Sequence, residues 1–457
     1  MVTTRAREMR GLRRQVMGAA VAAGAAALAA CGTAGGAGGA ARPLKQPVTL
    51  RYTTFWSQER LQVLQPAVDE FQQKTGHTVQ MEPMPNYAEK LVAEFVGGAA
   101  ADVPHAHNQV MTKLYDQGMI LDLLPYANRD KMNVRRDYGL MGIEFWDGKL
   151  YAMPYVLSPH AWYYNKTMVK EVGAPDPWER FNGELTWPDL LAIAQATTRP
   201  ASGDKPERWG ISLTYNDIEY QLAGFIWSNG GKTHDYGQMR YLLDDPKTIE
   251  AVEFVFDLLH KYRVMIPLAT RDELSRAGVR DVFIAGRVCL VENSSSAINA
   301  YLTGIGNQFE WDVFPIPRAR RDGPPPVTYT SGDPNCVNAA TPHRDEAWAF
   351  VKWLAGPQTQ GLFGQTKLSY PALKEAANDP RGYAAPPPPH MSVFGRVFQG
   401  KVTRRFFHYN HLRGLQITRE QIDAAFRGEK TVAQAMREAA REANLIVEWK
   451  TKPTFPE

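Results

Sequence analysis

Four groups of residues in this 457-residue chain have types and positions that could do chemistry. The first is a pair of carboxylates, Glu292 and Asp333. Hydrolysis of a glycosidic bond needs two positioned carboxyl groups. This is the one pair that can be named for it, and nothing local marks either as raised in pKa, so binding is favoured over catalysis. The second is His105 and His107, two apart, which share a face if the segment is a strand. Two histidines without a third ligand make a poor metal site, so hydrogen-bonded or solvated rings, and no metal, are expected. The third is Glu292-Asn293-Ser294-Ser295-Ser296, which follows an apolar run. Serines opening a helix offer N–H and hydroxyl groups either to an anion or to the helix itself as a cap. The fourth is aromatic. Trp56 sits in Phe55-Trp56-Ser57-Gln58-Glu59, just after an apolar segment. A Trp in a loop can stack on a polar ring while Ser57, Gln58 or Glu59 bonds its hydroxyls; the alternative is a core Trp followed by a cap. Tyr220 and Trp227, seven apart, share a helix face that is either core or ligand wall.

The elements that must position these groups alternate. Residues 48–52 read as a strand. Leu61, Leu64, Val68 and Phe71 follow at helical spacing and stop at Gly76. Residues 77–81 read as a second strand and 87–96 as a second helix. This order gives an α/β fold with mostly parallel sheets. Further on, residues 148–154 read as a hairpin end and strand, 162–165 as another strand, and 167–172 as a short helix. Thr186 with Pro188 and Asp189 starts a helix. Residues 249–262, 279–285, 347–354 and 431–446 are expected helices, 288–291 a strand, and the four prolines 386–389 a surface connector.

Before all of these comes a segment of another kind. Arg13-Arg14 head an alanine-rich apolar run over residues 16–30 that ends in Leu28-Ala29-Ala30-Cys31-Gly32. Positive charge, a short apolar core and small residues at the end describe an export signal, too short and weakly apolar to span a bilayer. The end resembles a lipobox, which implies cleavage before Cys31 and lipidation of it; the plainer reading is an ordinary signal with an incidental Cys. Arg13-Arg14-Gln15-Val16-Met17 resembles a twin-arginine export motif. Residues 32–47, rich in Gly and Ala, read as a tether.

The first 30 residues carry five arginines against Glu8, which is the whole of the formal charge of +4. The remainder is neutral, which removes the electrostatic argument for nucleic acid. An exported protein also has little access to ATP, NAD or the chromosome. Cys289 and Cys336 could pair in an oxidising compartment, but Cys289 lies in an apolar run and reads better as a buried thiol.

Five segments, in order, resemble the extracellular solute-binding proteins of ABC importers, of the maltose-binding kind. They are Ala152-Met153-Pro154-Tyr155 through Trp162-Tyr163-Tyr164-Asn165-Lys166; Thr186-Trp187-Pro188-Asp189-Leu190; Phe283-Ile284-Ala285-Gly286-Arg287-Val288; Trp311-Asp312-Val313-Phe314-Pro315-Ile316-Pro317; and Ala347-Trp348-Ala349-Phe350-Val351-Lys352-Trp353-Leu354. The resemblance implies a two-lobed α/β periplasmic-binding-protein fold of type II. The lobes are expected at 48–155 with 333–375, and at 156–332 with 376–457. Crossings are placed near 155–160, 329–335 and 371–389.

The same resemblance implies a ligand cleft between the lobes, lined by Trp56, Ser57, Gln58, Asn108, Gln109, Tyr155, Tyr220, Trp227, Asn229, Glu292, Asn293, Ser294, Ser331, Gly332, Asp333, His408 and Tyr409. Here His105 stands where the family has an acid, and the serine run replaces a stacking Trp. The serine run is similar to a segment of glycerol-phosphate receptors of this family. The implied function is carbohydrate capture and delivery to ABC permease subunits by a lipid-anchored monomer, without cofactor, metal, nucleic acid or catalysis. A receptor for glycerol-3-phosphate or a glycerophosphodiester is the alternative; a surface scaffold or a glycan hydrolase is more remote.

Overall fold

The computed structural model describes residues 46–106, 110–203, 207–325, 328–398, 402–403 and 406–448. The expectations for Cys31, the signal, most of the tether, His107, Asn108 and Gln109 fall outside these. Thr49–Thr54 (β1) enters a helix, Gln58–Thr75 (α1), and returns as Thr78–Pro83 (β2). The two strands pair in parallel, Leu50 opposite Val79, and Val103–Pro104 (β3) adds on the other edge of β1. Leu61, Leu64, Val68 and Phe71 are all buried, and Gly76 closes α1 at φ 74°, a conformation glycine adopts without strain.

The centre of the molecule is one long strand, Met153–Asn165 (β4). The two strands expected here are a single element, because every residue but Ser158 is buried. Such a run reads as a strand covered on both faces rather than as an alternating one. After β4, Thr186 caps the helix Trp187–Thr197 (α2) with a full capping box: its hydroxyl accepts from Asp189 N–H while Asp189 accepts from Thr186 N–H at 2.9 Å. Trp209–Ser212 (β5) and the helix Gln221–Ser228 (α3) follow.

The helix expected at 279–285 is absent; residues 282–286 are turns. Asp281 Oδ1 accepts from the N–H groups of Phe283 (2.8 Å) and Ile284 (3.0 Å) and so caps a single turn, which Gly286 closes at φ 61° with Arg287 N–H bonded to Val282 O. The strand behind it, Val288–Ser294 (β6), runs three residues further than expected.

Trp311–Phe314 (β7), Thr328–Asn335 (β8), Tyr370–Pro371 (β9) and Val402–Thr403 (β10) complete a seven-stranded sheet of order β10-β8-β4-β6-β5, with β7 and β9 also pairing β4. Between β8 and β9, Gly356-Pro357 ends the helix Arg344–Ala355 (α4) and starts Pro357–Thr366 (α5), with proline at the first turn where its missing N–H costs nothing. The chain then closes with His411–Phe426 (α6) and Val432–Asn444 (α7), the latter capped by a Thr431–Gln434 box.

Two hydrophobic cores result. One gathers Leu50, Tyr52, Leu61, Phe71, Tyr155 and Trp348; the other gathers Trp162, Tyr164, Trp187, Phe225, Leu290 and Met436. Cys336 belongs to the first and Cys289 to the second, and both are free buried thiols. No helix among the described residues is long and apolar enough to cross a membrane.

Candidate functional site

The strand β4 changes partners along its length. Residues 153–159 pair with β8 and β9, and residues 160–165 with β6 and β7. At Val156 and Leu157 it is flanked on both sides: Asp333 and Gly332 of β8 on one, Pro371 and Tyr370 of β9 on the other. Three chain segments therefore lie side by side at one place. Gly332 is required there. A Cβ on it would stand 2.3 Å from Val156 O and 2.8 Å from Met141 Sδ. Its neighbours Ser331 and Asp333 share the opposite face of the strand and are half-buried, which places a hydroxyl and a carboxylate at this point.

On one side of this junction sits Trp56, only 2% exposed. Its ring stacks on Tyr155 (5.4 Å, 26°), meets His105 and Phe363 edge-on, and lies under the Arg60 guanidinium at 4.4 Å. The stacking face expected of Trp56 is thus taken by protein, while Ser57 and Gln58 beside it are exposed. Tyr155 is buried and its hydroxyl is held well above the ordinary phenol range by burial. His105 is a bonded core histidine: its Nδ1 lies 2.8 Å from Thr54 Oγ1.

On the other side, Glu292 is 1% exposed. Its Oε1 accepts from Tyr329 OH at 2.7 Å and lies 2.7 Å from His160 Nδ1. His160 stacks on Tyr329 at 4.4 Å, Trp227 meets Tyr329 edge-on at 5.4 Å, and Tyr220 approaches His160 at 6.1 Å. Gln221 Nε2 donates to Glu292 O. The sequence reading named Glu292, Tyr220 and Trp227 but missed His160 and Tyr329. The signal was present, since a glutamate in an apolar strand needs buried donors and both residues end a crossing. Tyr220 precedes α3 as its N-cap, so it does not share a helix face with Trp227.

The remaining expected residues are spread more widely. Asn229 is buried and turned to the helix Pro246–His260, donating to Lys247 O (2.9 Å) and Glu250 Oε2 (3.1 Å). Asn293 donates to Tyr301 OH at 3.0 Å, and Ser294 Oγ lies 2.6 Å from Ser296 Oγ. The serine run opens with a short 3-10 turn, Ser295–Ala297, rather than directly with an α-helix. His408 is fully buried beside Tyr241 OH (3.1 Å), and desolvation pushes its pKa down to about 3. Tyr409 OH accepts from Gln117 Nε2 at 3.1 Å, and Thr112 Oγ1 donates to His408 O at 2.9 Å. Tyr155 and His160 lie five residues apart on β4, roughly 17 Å at about 3.4 Å per residue. The structure thus assembles two clusters on one strand, and sets Asn229 and His408 apart as packed groups. No set of three or more His, Cys, Asp or Glu side chains among the described residues could hold a metal.

Two α/β halves threaded by shared strands are the architecture of a type II periplasmic binding protein. The chain belongs to the bacterial extracellular solute-binding protein family, whose model matches residues 66–388. It is similar to the maltotriose-binding protein of Pyrococcus abyssi, 24% identical over 325 residues; the match covers 70% of this chain and 65% of that relative, just under two thirds of its length. Among solved structures, an ABC substrate-binding protein of Listeria monocytogenes in complex with cycloalternan superposes with a TM-score of 0.75 at 19% identity, covering 88% of this chain and 99% of that one. UgpB of M. tuberculosis in complex with glycerophosphocholine gives 0.73 at 18%, covering 88% and 98%. At these identities the structural likeness concerns the fold.

Proposed function

We propose that this protein is the extracytoplasmic receptor of an ABC importer and holds a carbohydrate between its two lobes. The observation that carries this reading is the junction of β4, β8 and β9, where the half-buried Ser331 and Asp333 put a hydroxyl and a carboxylate on one face of β8. Carboxylate and hydroxyl acceptors suit sugar hydroxyls, and a charged acceptor makes the stronger bond. The names of the relatives, maltotriose-binding and cycloalternan-bound, support the same ligand class.

The proposed lobes are 48–155 with 333–375, and 156–332 with 376–457. The change of partners in β4 at Pro159 and the pairing of β10 with Thr328 and Tyr329 support that division. Ser57, Gln58, Tyr220, Asn293, Ser331 and Asp333 are the proposed contacts, with Asn108 and Gln109, which follow β3 in the sequence. Ligand bridging both lobes shifts the population to the closed form, which docks on the permease. No chemistry takes place on this chain. Residues 1–30 are the proposed signal, and Cys31 the lipid-bearing residue that tethers a monomer to the membrane.

The second reading, a glycerophosphodiester receptor, is favoured by the likeness to a glycerophosphocholine-bound protein and by the serine run. A thermal-shift series with mono- and oligosaccharides, polyols and glycerophosphocholine tests both, because a ligand that binds the folded state raises the melting temperature. A rise with sugars supports the first reading; a rise with glycerophosphocholine alone replaces it by the second.

A further inference from the structure

Arg60 stands one turn into α1, and its guanidinium reaches the junction of the three crossing segments. Nη2 donates to Ser369 Oγ (2.7 Å) and Leu368 O (3.1 Å), directly before β9. Tyr155 of β4 and Asp333 of β8 act on it electrostatically, as does Tyr383. It forms no ion pair among the described residues, and its buried Nε has no hydrogen-bond partner there. Asp333 is the acid among these three.

A second cation directly precedes Leu368, whose carbonyl Arg60 holds. Lys367 is 9% exposed, and among the described residues its Nζ is bonded only to carbonyls, those of Tyr383 (3.1 Å) and Ala385. Burial holds both cations below their ordinary pKa values. Tyr383 OH in turn donates to Ser295 O, and the fully buried Ser295 hydroxyl has no partner among the described residues. Two desolvated cations thus share the segment 367–369 and the neighbourhood of Tyr383, with no acid in ion-pair contact among the described residues. Partly buried cations are ordinarily paired.

We propose that Arg60 is an anion subsite of the receptor cleft, pairing with a carboxylate or phosphate on the ligand, so that the preferred ligand is an acidic sugar or sugar phosphate rather than a neutral one. This rests on the receptor reading above. In it Asp333 takes the ligand's hydroxyls and Arg60 its charge. A guanidinium suits both anions because its planar fork matches two oxygens at once. The anion's location separates this site from an alternative at the serine run alone.

Isothermal titration calorimetry on the full chain tests it with glucose, glucuronate and glucose 6-phosphate, which share a ring and differ at one carbon. Maltotriose and glycerophosphocholine extend the series. The expected result is binding about tenfold or more tighter for an anionic member than for its neutral counterpart, weakening with added salt. Arg60→Gln lowers the ratio of neutral to anionic dissociation constants towards one, while Arg60→Lys retains part of the preference. The better of carboxylate and phosphate identifies the anion.

Neutral ligands that bind as well as the anionic ones to the wild type overturn the subsite and leave the receptor reading intact. That comparison needs no variant, so a misfolded Arg60→Gln protein does not blunt it. Equal loss of neutral and anionic binding in a folded Arg60→Gln protein makes Arg60 a packing residue and also overturns the proposal. Failure of the whole series to bind overturns the sugar reading together with it.

Discussion

Tyr329 OH donates to Glu292 Oε1 at 2.7 Å, and the tyrosine ring stacks on His160, the other partner of the same oxygen. Tyr329 lies on β8, His160 on β4 and Glu292 on β6, so one buried carboxylate ties the strands of the junction to the strand behind it. A carboxylate removed from water is costly unless its hydrogen bonds are made. The cluster therefore stabilises the place where β4 passes from one set of partners to the other.

Removing one of those bonds leaves Glu292 under-satisfied. Tyr329→Phe keeps the ring and deletes only the hydroxyl, and it is expected to destabilise the fold by about 1–3 kcal/mol. Urea unfolding measures this directly. Glu292→Gln, which removes the charge with little change of shape, should couple to it: the double variant loses less than the sum of the singles. Strict additivity would show that the two groups do not stabilise each other.

The glycine at the junction gives a second expectation. A methyl at Gly332 meets a backbone carbonyl, Val156 O, at 2.3 Å, and a carbonyl inside a sheet cannot swing aside. Gly332→Ala must push β8 from β4, at a cost of about 1–3 kcal/mol for overpacking. Because Ser331 and Asp333 ride on the same strand, ligand affinity should fall with stability. An Ala variant with an unchanged urea midpoint and unchanged ligand dissociation constant would contradict this account.

Much of this was legible in the sequence, and the failures have causes. The helix α1, the cap at Thr186 and the helix beginning near Thr431 followed from spacing and residue type, since local geometry decides them. The division of β4 into two strands failed because tertiary burial, not local pattern, keeps residues 153–165 in one ladder. The helix at 279–285 failed because Asp281 caps the chain only at 281 and Gly286, at φ 61°, ends it after one turn. At the site, residue types marked Glu292, Trp227 and Asp333, but only the fold shows that Trp56 is packed on Tyr155 and that Tyr329 and His160 complete the Glu292 cluster. Arg60 carries no sequence signal, because the want of an acid beside it is a three-dimensional fact.

Thiol chemistry separates the two cysteines from the disulfide considered for them. Burial pushes the Cys289 thiol up to about 12 and raises that of Cys336 as well. The thiolate is the reactive form, so both should be silent toward iodoacetamide in the folded protein at pH 8. Both should label once urea unfolds the chain, with no reductant added. Mass spectrometry of digested peptides decides it; a Cys289–Cys336 linked peptide, or rapid native labelling, would overturn the assignment.

Acid stability is the last expectation. Desolvation is the main cause that pushes His408 down to about 3 and His234 down to about 4, with Glu219 opposing it in both cases. Folded, these rings stay neutral to those values; unfolded, they take up protons from about 6.5 downward. Between 6.5 and 4 the unfolded chain binds more protons than the folded one, so stability falls as the pH falls. The loss is at most about 1.4 kcal/mol per histidine per pH unit. The urea midpoint should thus be level from pH 8 to 7 and drop by pH 5, and His408→Asn should flatten part of that drop. Because His408 O accepts from Thr112 and Tyr409 from Gln117, the same acid loss should also loosen this contact between the C-terminal segment and the helix after β3. Hydrogen exchange at residues 111–117 then rises at pH 5 ahead of global unfolding, after correction for the intrinsic pH dependence of exchange; unchanged protection there would confine the effect to the core around His234.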